Sequence, residues 1–323
     1  MLKIFFRHKR TGANSIEGVY AAIDNLLTSH SNERLPYDGA TPFAIIRNIV
    51  YAFKNRSRNN HMTGDAHYSV IGLGSHTLLT IHDVGSACTG TWYKRFYIKL
   101  LWFWLPTLIA NQISVISEAT KCDVIKLCPW TRKKITVIPN PYNRQFEGTP
   151  RPLQSGQIPT ILHIGTKTNK NLERTIVALS DIKCRLVIVG PLTPLQRKML
   201  TDNRIDYVNK VDIQFTELLE AYRDCDIVSF PSLFEGFGMP VIEGQAAARP
   251  VVAGNIPVLR DVAGRDGAIF VDPTDVESIK EGFIAAIENP HLRKMVIEAG
   301  KANIARYAPE TIAEKYNKIY KQL

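Results

Sequence analysis

Cysteine is scarce in this chain of 323 residues, and its placement argues against two classes of protein. The five cysteines form no Cys-x-x-Cys pair, and because their number is odd they cannot all form disulfides with one another. This pattern disfavours both a disulfide framework and a structural zinc site. A reducing cytoplasm suits this pattern. The first 15 residues contain neither the apolar core nor the small-residue cleavage site of a signal peptide, so we expect a cytoplasmic protein.

Long hydrophobic runs are also missing. The most apolar window, 96–116, contains four interruptions, Lys99, Pro106, Asn111 and Gln112. It is therefore too broken for a transmembrane helix. Its aromatic part, 96–105, has two interpretations: a buried helix of the first domain, or an amphipathic helix resting on an anionic bilayer, with Lys94 and Arg95 just before it. The second would make the protein peripheral on the inner face of the plasma membrane.

The remaining composition is that of a globular protein with a basic first half. At 45% hydrophobic residues and this length, a packed core and two domains are expected. Residues 1–150 carry 18 Lys and Arg against 9 Asp and Glu, which is +9 of the total net charge of +10. A basic half indicates an anionic partner such as a membrane surface, a phosphorylated acceptor or nucleic acid. Because no signature of the usual RNA-binding modules is present, we expect no nucleic acid.

Short apolar or β-branched runs alternate with longer amphipathic segments along the chain. The runs are KIFF at 3–6, LLTI at 78–81, ISVI at 113–116, ITVI at 135–138, TILHI at 160–164, RLVIV at 185–189, DIVSF at 226–230, VVAG at 251–254 and AIFV at 268–271. Alternation of this kind predicts an α/β protein with parallel, doubly wound sheets.

The segment 139–159 is dense in proline, glycine and polar residues and has no helical or strand period, which predicts a linker. We therefore expect two Rossmann-like domains, at 1–145 and 155–306, facing each other across a cleft. Ligands of doubly wound sheets bind outside the carboxyl ends of the strands. Functional residues are therefore sought in the loops that follow strands.

The stretch SLFEGFGMPVIEG at 232–244 follows the run DIVSF and fits such a loop. Pro240 is suited to the first turn of a helix. Gly236 and Gly238 allow a ligand to approach the backbone closely, and the helix N-terminus favours a phosphate. Glu235 and Glu243 cannot bind phosphate, but they can accept hydrogen bonds from hydroxyl groups. A diphosphate between two polyhydroxyl rings, as in a nucleotide sugar, satisfies both requirements.

These residues resemble a known family. Glu235 and Glu243, with seven residues between them, resemble the Glu-x7-Glu motif of retaining GT-B glycosyltransferases of family four, also called glycosyl transferases group 1. Four further segments resemble that family in the same order: VISEATKCDVIK (115–126), VIPNPY (137–142), ILHIGTKTNKNLERTI (161–176) and ARPVVAGNIPVLRDVAGRDGAIFVDPTD (248–275). The resemblance is closer over 70–323 than over the first 70 residues.

The resemblance implies the GT-B fold and a hexosyltransferase. A sugar such as mannose, glucose or N-acetylglucosamine would pass from a UDP-sugar or GDP-sugar to a glycan or lipid-linked acceptor, with retention, in polysaccharide or glycolipid assembly. It implies no cofactor besides this donor. A sugar-nucleotide epimerase, a phosphorylase and a non-catalytic protein that binds anionic surfaces are the alternatives.

The resemblance also implies roles for the motif residues. Glu243 would accept hydrogen bonds from the donor's ribose, and Glu235 would hold hydroxyls of the transferred sugar. The amides of Phe237, Gly238 and Met239 would line the sugar and the phosphates. The structural alternative is that both glutamates are acidic residues favoured by the dipole of the helix N-terminus.

The segment HIGTKTNKNL, 163–172, provides cations for the leaving diphosphate. Gly165 opens the turn after the run TILHI, and lysines here can stabilise the negative charge that develops in the transition state. Lys170 matches the position of the lysine that the family carries. Because the loop is about one residue shorter than the common form, either Thr166 or Lys167 would take the first position.

In the first domain, His82 and Asp83 follow the run LLTI. The resemblance implies that His82 faces the transferred sugar near the reacting centre. Asp83 would orient either the imidazole or the acceptor hydroxyl. The turn after the first strand, with Gly12, Ala13 and Asn14, would complete the cleft floor near the donor phosphates.

Two further segments bear on metal binding and on the C-terminal helix. Asp224 and Asp226 imitate a metal-binding Asp-x-Asp motif, but they precede a strand and close a helical segment, so we expect no metal there. The C-terminal segment 307–323 predicts a last helix, which in GT-B relatives crosses back onto the first domain.

Overall fold

The computed structural model describes residues 2–9, 15–39, 41–154 and 156–323. The chain divides into two compact units. Unit 1 comprises Met1–Pro141 and Pro309–Leu323, and unit 2 comprises Tyr142–Ala308. The first boundary lies inside the segment 139–159, where prolines and polar residues interrupt every periodic pattern.

Unit 1 is built on a six-stranded parallel sheet with helices between the strands. The strands are β1 Leu2–Phe6, β2 His30–Arg34, β3 Asn59–Met62, β4 Thr77–Ile81, β5 Gln112–Val115 and β6 Ile135–Val137. Their order in the sheet is β2-β1-β3-β4-β5-β6. The helices are α1 Ser15–Ala21, α2 Pro42–Asn55, α3 Val70–Leu73, α4 Gly85–Cys88, α5 Trp92–Ile98, α6 Leu105–Ile109 and α7 Glu118–Leu127.

Unit 2 repeats this architecture. Its strands are β7 Thr160–Ile164, β8 Arg185–Val189, β9 Asp206–Lys210, β10 Ile227–Phe230, β11 Val251–Gly254 and β12 Ile269–Val271. They form a parallel sheet in the order β12-β11-β10-β7-β8-β9. The helices are α8 Leu172–Ala178, α9 Pro194–Asp202, α10 Phe215–Asp224, α11 Met239–Ala246, α12 Pro257–Ala263, α13 Val276–Glu288 and α14 Pro290–Asn303.

A last helix, α15 Pro309–Tyr320, belongs to unit 1. It packs into the cluster that buries Ile4 and Ile23. Two of its tyrosines also enter a buried polar network: the Tyr316 hydroxyl lies 3.1 Å from that of Tyr20, and the Tyr320 hydroxyl lies 2.8 Å from Nδ1 of His61. Buried polar groups of this kind are tolerated because their partners satisfy them, so α15 completes the core of this unit.

Three strands have no apolar run in the sequence, namely β2, β3 and β9. β2 and β9 are the edge strands of their sheets, where one side of a strand faces solvent and polar residues are tolerated. β3 lies inside its sheet, but Asn60 and His61 occupy buried positions in it. Its pattern is polar because these side chains hydrogen-bond within the core.

The apolar window 96–116 combines features of both interpretations. Its first part lies in α5, where Phe96 is 52% exposed, whereas Phe103, in the π-helical segment Lys99–Trp104, is buried in the core. Within the residues that the structure describes, no helix is both long enough and apolar enough to cross a membrane.

Candidate functional site

In both sheets the chain reverses its direction of winding at one point. In unit 2 this switch point lies between β7 and β10, because β8 and β9 extend the sheet on one side of β7, and β10, β11 and β12 extend it on the other. Loops that leave such a point diverge and open a crevice at the carboxyl ends of the strands. The loop with Lys170 follows β7, and the loop with Glu235 follows β10. The two sequence motifs therefore meet at this switch point.

The loop after β7 is shaped by backbone conformations that its residues are suited to adopt. Gly165 has φ +89°, and a Cβ placed there would lie 3.0 Å from Cγ of Lys170. A single 3-10 turn, Thr168–Lys170, then leads into Asn171, which is left-handed at φ +64° and starts α8. Glycine and asparagine are the residues that enter this region most easily. The loop thereby holds Lys170 beside the strand ends.

Lys170 and Glu235 form the central ion pair of the site. The Nζ of Lys170 lies 2.6 Å from Oε1 of Glu235, and their side chains are only 21% and 11% exposed. The ammonium group also lies over the ring of Phe230, 4.6 Å from its centroid. An ion pair this shielded from water is stronger than a surface pair, but both groups have lost hydration. Polar groups of a ligand could replace the water that Lys170 and Glu235 have lost, so the pair is suited to bind such a ligand.

Two asparagines that the sequence analysis did not single out join the loops of the site. Asn169 accepts a hydrogen bond at its carbonyl from the amide of Leu233 (2.9 Å), and its side chain donates to the carbonyl of Phe234 (3.0 Å). The buried side chain of Asn171 donates to the carbonyls of Pro231 and Pro273. These bonds fix the loop of Glu235 against two neighbouring loops.

Three backbone amides at the start of α11 have no hydrogen-bond acceptor among the described residues. Gly238 precedes the helix at φ +105°, and Pro240 stands in its first turn. Among the described residues, none accepts a hydrogen bond from the amides of Phe237, Gly238 and Met239. The ring of Phe237 is buried edge-on against Tyr307, at a centroid distance of 5.6 Å, which anchors the loop. Unpaired amides at a helix N-terminus are suited to bind an anion.

Glu243 lies in α11 and is hydrogen-bonded by a residue that the sequence analysis missed. The hydroxyl of Tyr222, in α10, donates to Oε2 of Glu243 at 2.7 Å. Burial raises the pKa of Glu243 to about 7, although the hydrogen bond from Tyr222 and the charge of Lys170 both act to lower it. The carboxyl group therefore titrates near neutral pH, which is typical of functional sites.

Thr166 and Lys167 differ in their surroundings. Thr166 is buried, its hydroxyl donates to the carbonyl of Pro191, and its own carbonyl accepts a hydrogen bond from Gln196 (2.8 Å). Lys167 is exposed. The hydroxyl of Thr166 is thus engaged within the protein, whereas the ammonium of Lys167 faces solvent.

His82 stands at the end of β4 in unit 1. Its Nε2 lies 2.9 Å from the carbonyl oxygen of Thr63. Since a carbonyl can only accept, Nε2 carries the hydrogen, and Nδ1 is the unprotonated nitrogen of the neutral ring. Burial lowers the pKa of His82, so the neutral ring is favoured at physiological pH.

Asp83 accepts a hydrogen bond from the backbone that follows it, and its two predicted roles stay predictions. Its Oδ1 accepts from the amide of Gly85 at 2.8 Å, and its side chain is exposed. The carbonyl of Thr63 holds the histidine ring. The other predicted residues of this unit, Gly12, Ala13 and Asn14, lie outside the described residues.

Asp224 and Asp226, which resemble an Asp-x-Asp metal motif in sequence, have structural roles. Asp224 ends α10. Asp226 is buried, where its Oδ2 accepts from the amide of Thr160 (2.8 Å) and its Oδ1 lies 3.3 Å from Nε of Arg151. Among the described residues, no group of three or more His, Cys, Asp or Glu is placed to hold a metal ion.

Comparison with known proteins identifies a family match within unit 2. A family model described as "Glycosyl transferases group 1" matches residues 151–303, which include Lys170, Glu235 and Glu243. This part of the chain is similar to that family. The glycosyl transferases group 1 region thus contains the whole switch-point site of unit 2.

Curated relatives are similar to this chain over different lengths. O-antigen chain mannosyltransferase RfbU of Salmonella typhimurium is 24% identical over 77% of this chain and 70% of its own length. Phosphatidyl-myo-inositol mannosyltransferase of Mycobacterium tuberculosis is 34% identical over 31% of this chain and 28% of its own. An uncharacterised glycosyltransferase of Methanocaldococcus jannaschii is 26% identical, with 45% of its own length matched. The chain thus spans less than half of two of these three relatives.

Solved structures resemble the chain over nearly all of its length. Anabaena HepE, in complex with UDP and glucose, has a TM-score of 0.79 at 14% identity, with both chains covered completely. WaaG, a glycosyltransferase involved in lipopolysaccharide biosynthesis, has a TM-score of 0.73 at 13% identity and 99% coverage of both chains. These likenesses confirm the prediction of a GT-B fold with two Rossmann-like sheets.

The glycine before α11 gives a direct test of this glycosyl transferases group 1 site. A Cβ at Gly238 would lie 2.4 Å from Cδ2 of Leu259, on a backbone at φ +105°. We expect Gly238→Ala to lower the free energy of unfolding by about 1–3 kcal/mol and to displace the amides at the helix start. Urea unfolding measures the loss of stability, and amide hydrogen exchange measures the displacement of the amides.

Gly18→Ala is the matched control, because a Cβ at Gly18 in α1 meets no atom of the part of the chain that the structure describes within 4 Å. That variant should be as stable as the wild type or slightly more stable. Equal stability and equal amide exchange of the wild type and Gly238→Ala would contradict this account of the glycine.

Proposed function

We propose that the protein is a retaining glycosyltransferase that uses a nucleotide-diphosphate sugar without a metal ion. Unit 2 binds the donor, and unit 1, with α15, binds the acceptor. The observation that supports this proposal is the switch-point site, where Lys170 follows β7, Glu235 follows β10, and α11 contributes Glu243 and amides that no described residue accepts from. This combination offers cationic and dipolar groups to a diphosphate and acceptors to the hydroxyls on either side of it.

Each group has a role in the proposed reaction. Glu243 accepts hydrogen bonds from the ribose, and Glu235 holds hydroxyls of the transferred sugar. The amides of Phe237, Gly238 and Met239 bind the phosphates and the sugar. Gly165 allows the backbone after β7 to approach the diphosphate, and Thr166 lines that approach through its backbone, since its hydroxyl is engaged by Pro191.

The leaving diphosphate gains negative charge as the bond to the sugar breaks. Lys170 is placed to stabilise that charge, together with the unpaired amides at the start of α11. Fixed donors aimed at developing charge stabilise a transition state more than the ground state. In the retaining reaction that we propose, the acceptor attacks the face from which the diphosphate leaves, and a donor phosphate removes the acceptor's proton.

His82 and the residues near it complete the proposal on the side of unit 1. We assign His82 a position facing the transferred sugar. Two observations support this assignment: its Nδ1 carries no hydrogen, and its pKa is lowered. A neutral ring can accept a hydrogen bond from a sugar hydroxyl. Asp83 and the turn with Gly12, Ala13 and Asn14 are proposed to serve the acceptor. Lys167, exposed beside Lys170, is a further candidate contact for the diphosphate.

A calorimetric titration tests the donor site. UDP, GDP, UDP-glucose, UDP-N-acetylglucosamine and GDP-mannose are titrated in the presence of EDTA into the wild type, Glu243→Ala and the control Glu281→Ala, which changes an exposed glutamate of α13. We expect compounds with one of the two bases to bind. Glu243→Ala should bind them at least about tenfold more weakly than the wild type, and Glu281→Ala should bind them as the wild type does. No binding by any compound, or equal binding by all three proteins, would refute the proposal.

Both nucleotide bases belong in that panel because the similar proteins point to different sugars. The matched relatives include proteins named as mannosyltransferases, whereas the solved HepE structures contain UDP, glucose or UDP-glucose. We propose a hexose donor and an acceptor that is a glycan or a lipid-linked sugar. Analysis of the product's anomeric configuration by NMR distinguishes retention from inversion.

We also propose peripheral contact of unit 1 with an anionic membrane on the cytoplasmic side. In α2 four large apolar side chains at helical spacing are 45% to 68% exposed, namely Phe43, Ile46, Val50 and Phe53. In α5 Trp92 and Tyr93 are exposed as well. Residues 39–64 contain four Lys or Arg and no Asp or Glu. Apolar side chains among cations are suited to the interface of an anionic bilayer.

Co-sedimentation with vesicles tests this contact. We expect binding to phosphatidylglycerol vesicles, weaker binding to phosphatidylcholine, and loss of binding for Phe43→Ser with Phe53→Ser. Leu195→Ser, which removes a leucine 61% exposed in unit 2, serves as the control. Equal sedimentation of the double variant and the wild type would contradict the contact.

A further inference from the structure

The carboxylate of Glu235 is held through its oxygen Oε1. This atom lies 2.6 Å from Nζ of Lys170 and 3.4 Å from Nδ2 of Asn169. Asn169 is itself fixed, because its side chain donates to the carbonyl of Phe234 and its own carbonyl accepts from the amide of Leu233. Among the described residues, none donates a hydrogen bond to the second oxygen, Oε2. That oxygen is therefore left for a ligand.

The ammonium of Lys170 is the group at which a diphosphate would meet this carboxylate. Nζ carries three hydrogens, of which Glu235 takes one. A phosphate oxygen bonded to another of them would lie about 4.5 Å from Oε1, given the tetrahedral angle at nitrogen and ordinary hydrogen-bond lengths. Because the two side chains are only 21% and 11% exposed, water screens the repulsion between phosphate and carboxylate weakly. Glu235 therefore opposes the anion that Lys170 attracts.

This repulsion acts differently on a nucleotide sugar and on a free nucleoside diphosphate. The β-phosphate of the free diphosphate is not esterified by a sugar, so it carries about one more negative charge at neutral pH. It also brings no sugar hydroxyl that could donate to Oε2 of Glu235. A nucleotide sugar has the smaller charge and supplies such hydroxyls, which replace the lost hydration of the carboxylate.

We propose that Glu235 weakens the binding of the free nucleoside diphosphate relative to the intact nucleotide sugar and so promotes release of the product. This inference rests on the proposed function. As the bond between the sugar and the β-phosphate breaks, its electron pair stays on the phosphate oxygen, and the sugar carries its hydroxyls to the acceptor. The diphosphate that remains has gained charge beside Glu235 and leaves the carboxylate without a donor at Oε2, so it dissociates more readily.

Calorimetric titration of the full chain tests this effect. The probes are UDP, GDP, UDP-glucose and GDP-mannose, and the proteins are the wild type, Glu235→Gln and Glu235→Ala. For the base that binds, both variants should bind the nucleoside diphosphate about tenfold more tightly than the wild type, because a like charge has been removed from a shielded site. Both should bind the nucleotide sugar with equal or lower affinity, because the ionised acceptor for its hydroxyls is gone.

A ligand without a sugar ring separates the effect of charge from that of hydrogen bonding. UDP or GDP with a methyl ester on the β-phosphate has the charge of a nucleotide sugar, but it lacks the hydroxyls of the transferred sugar. The gain in affinity of Glu235→Gln over the wild type should therefore be largest for the free diphosphate, smaller for the methyl ester and absent for the nucleotide sugar. An equal gain for all three ligands would overturn the proposal.

Two controls show whether a change in binding comes from this carboxylate. Glu281→Gln removes the charge of an exposed glutamate of α13 and should bind every ligand as the wild type does. The urea midpoint of each variant shows that it is folded, and Glu235→Gln retains the size and shape of the side chain. The proposal is wrong if neither Glu235 variant binds the diphosphate more tightly than the wild type, or if Glu281→Gln gains as much as they do.

The same titration distinguishes this inference from the proposed function. If no nucleotide binds the wild type or any variant, the donor site itself is refuted, and the inference is refuted with it. If the nucleotide sugar binds and Glu243→Ala weakens it, while the Glu235 variants leave the ratio of the two dissociation constants unchanged, the donor site stands. In that case only the role of Glu235 in product release is wrong.

Discussion

Affinity for the nucleotide sugar is expected to increase about tenfold between pH 6 and pH 8. Burial raises the pKa of Glu243 to about 7, and the ribose hydroxyls should bind the ionised carboxylate. Below the pKa the proton must leave before binding, so the dissociation constant decreases as the pH rises and levels off above about pH 8. Calorimetric titration with a nucleotide sugar in a series of buffers measures how the dissociation constant changes with pH. At low pH, binding should release one proton to the buffer.

Two variants show whether Glu243 is the titrating group. Glu243→Gln cannot ionise, so its affinity should be weak and independent of pH over this range. Tyr222→Phe removes the hydrogen bond that favours the ionised form, so the midpoint should move to higher pH. A wild-type profile that is flat between pH 6 and pH 8, or an unchanged slope in Glu243→Gln, would show that Glu243 does not control binding.

The same shift affects stability with a defined sign. Because the pKa of Glu243 is raised in the folded protein, the folded state retains the proton over a pH range in which the unfolded chain has lost it. The contribution of this group is therefore fully present below about pH 4.5 and is lost as the pH rises through about 7. Comparison of the urea midpoints of wild type and Glu243→Gln at both ends of this range isolates the effect.

Lys170→Ala is expected to reduce the transfer rate by about 100- to 1,000-fold. Removal of one fixed hydrogen-bond donor that stabilises the negative charge of a transition state has an effect of this size. The ammonium is paired to Glu235 at 2.6 Å in a position largely shielded from water. Its removal takes away the cation that would stabilise the leaving diphosphate and leaves the carboxylate unpaired. The loss should appear mainly in kcat, measured by release of nucleoside diphosphate.

Three comparisons separate the chemistry from the structural effect. Lys170→Arg retains the charge and should restore part of the rate. Lys170→Met with Glu235→Gln removes both charges, so it should regain stability without regaining the rate. Lys198→Ala, which changes a lysine with a 71% exposed side chain, is the control and should behave as the wild type. A rate for Lys170→Ala within about threefold of the wild type would contradict the assigned role.

Much of the fold and of the donor site could be predicted from short stretches of sequence. The strands with continuous apolar runs, such as β4 and β10, are buried on both faces, so their composition alone marks them. Gly238 and Pro240 restrict the local backbone and place the start of α11 within one residue. Lys170 and Glu235 each follow a strand, and parallel strands bring their carboxyl ends to one edge of the sheet.

Other features depended on contacts between residues far apart in the chain. The sequence shows that Glu243 is an acid, but its pKa depends on burial and on Tyr222, 21 positions away. Asn171 has no distinguishing pattern, yet its side chain donates to the carbonyls of Pro231 and Pro273, which lie 60 and 102 positions further along the chain. The sequence does not mark the polar strand β3, because its buried His61 is satisfied by Tyr320 and Thr80, which only the folded chain brings near.

By itself the sequence determined the local elements of this protein, because periodicity, glycine, proline and the order of the motifs act over a few residues. The tertiary structure alone decided which charges are neutralised and which side chains remain exposed. Arg7 adds to the count of cations in a basic half, but in the folded unit it is paired with Glu17 and Asp65. Burial and pairing depend on all neighbours in space, so they are set only when the sheets and helices pack together.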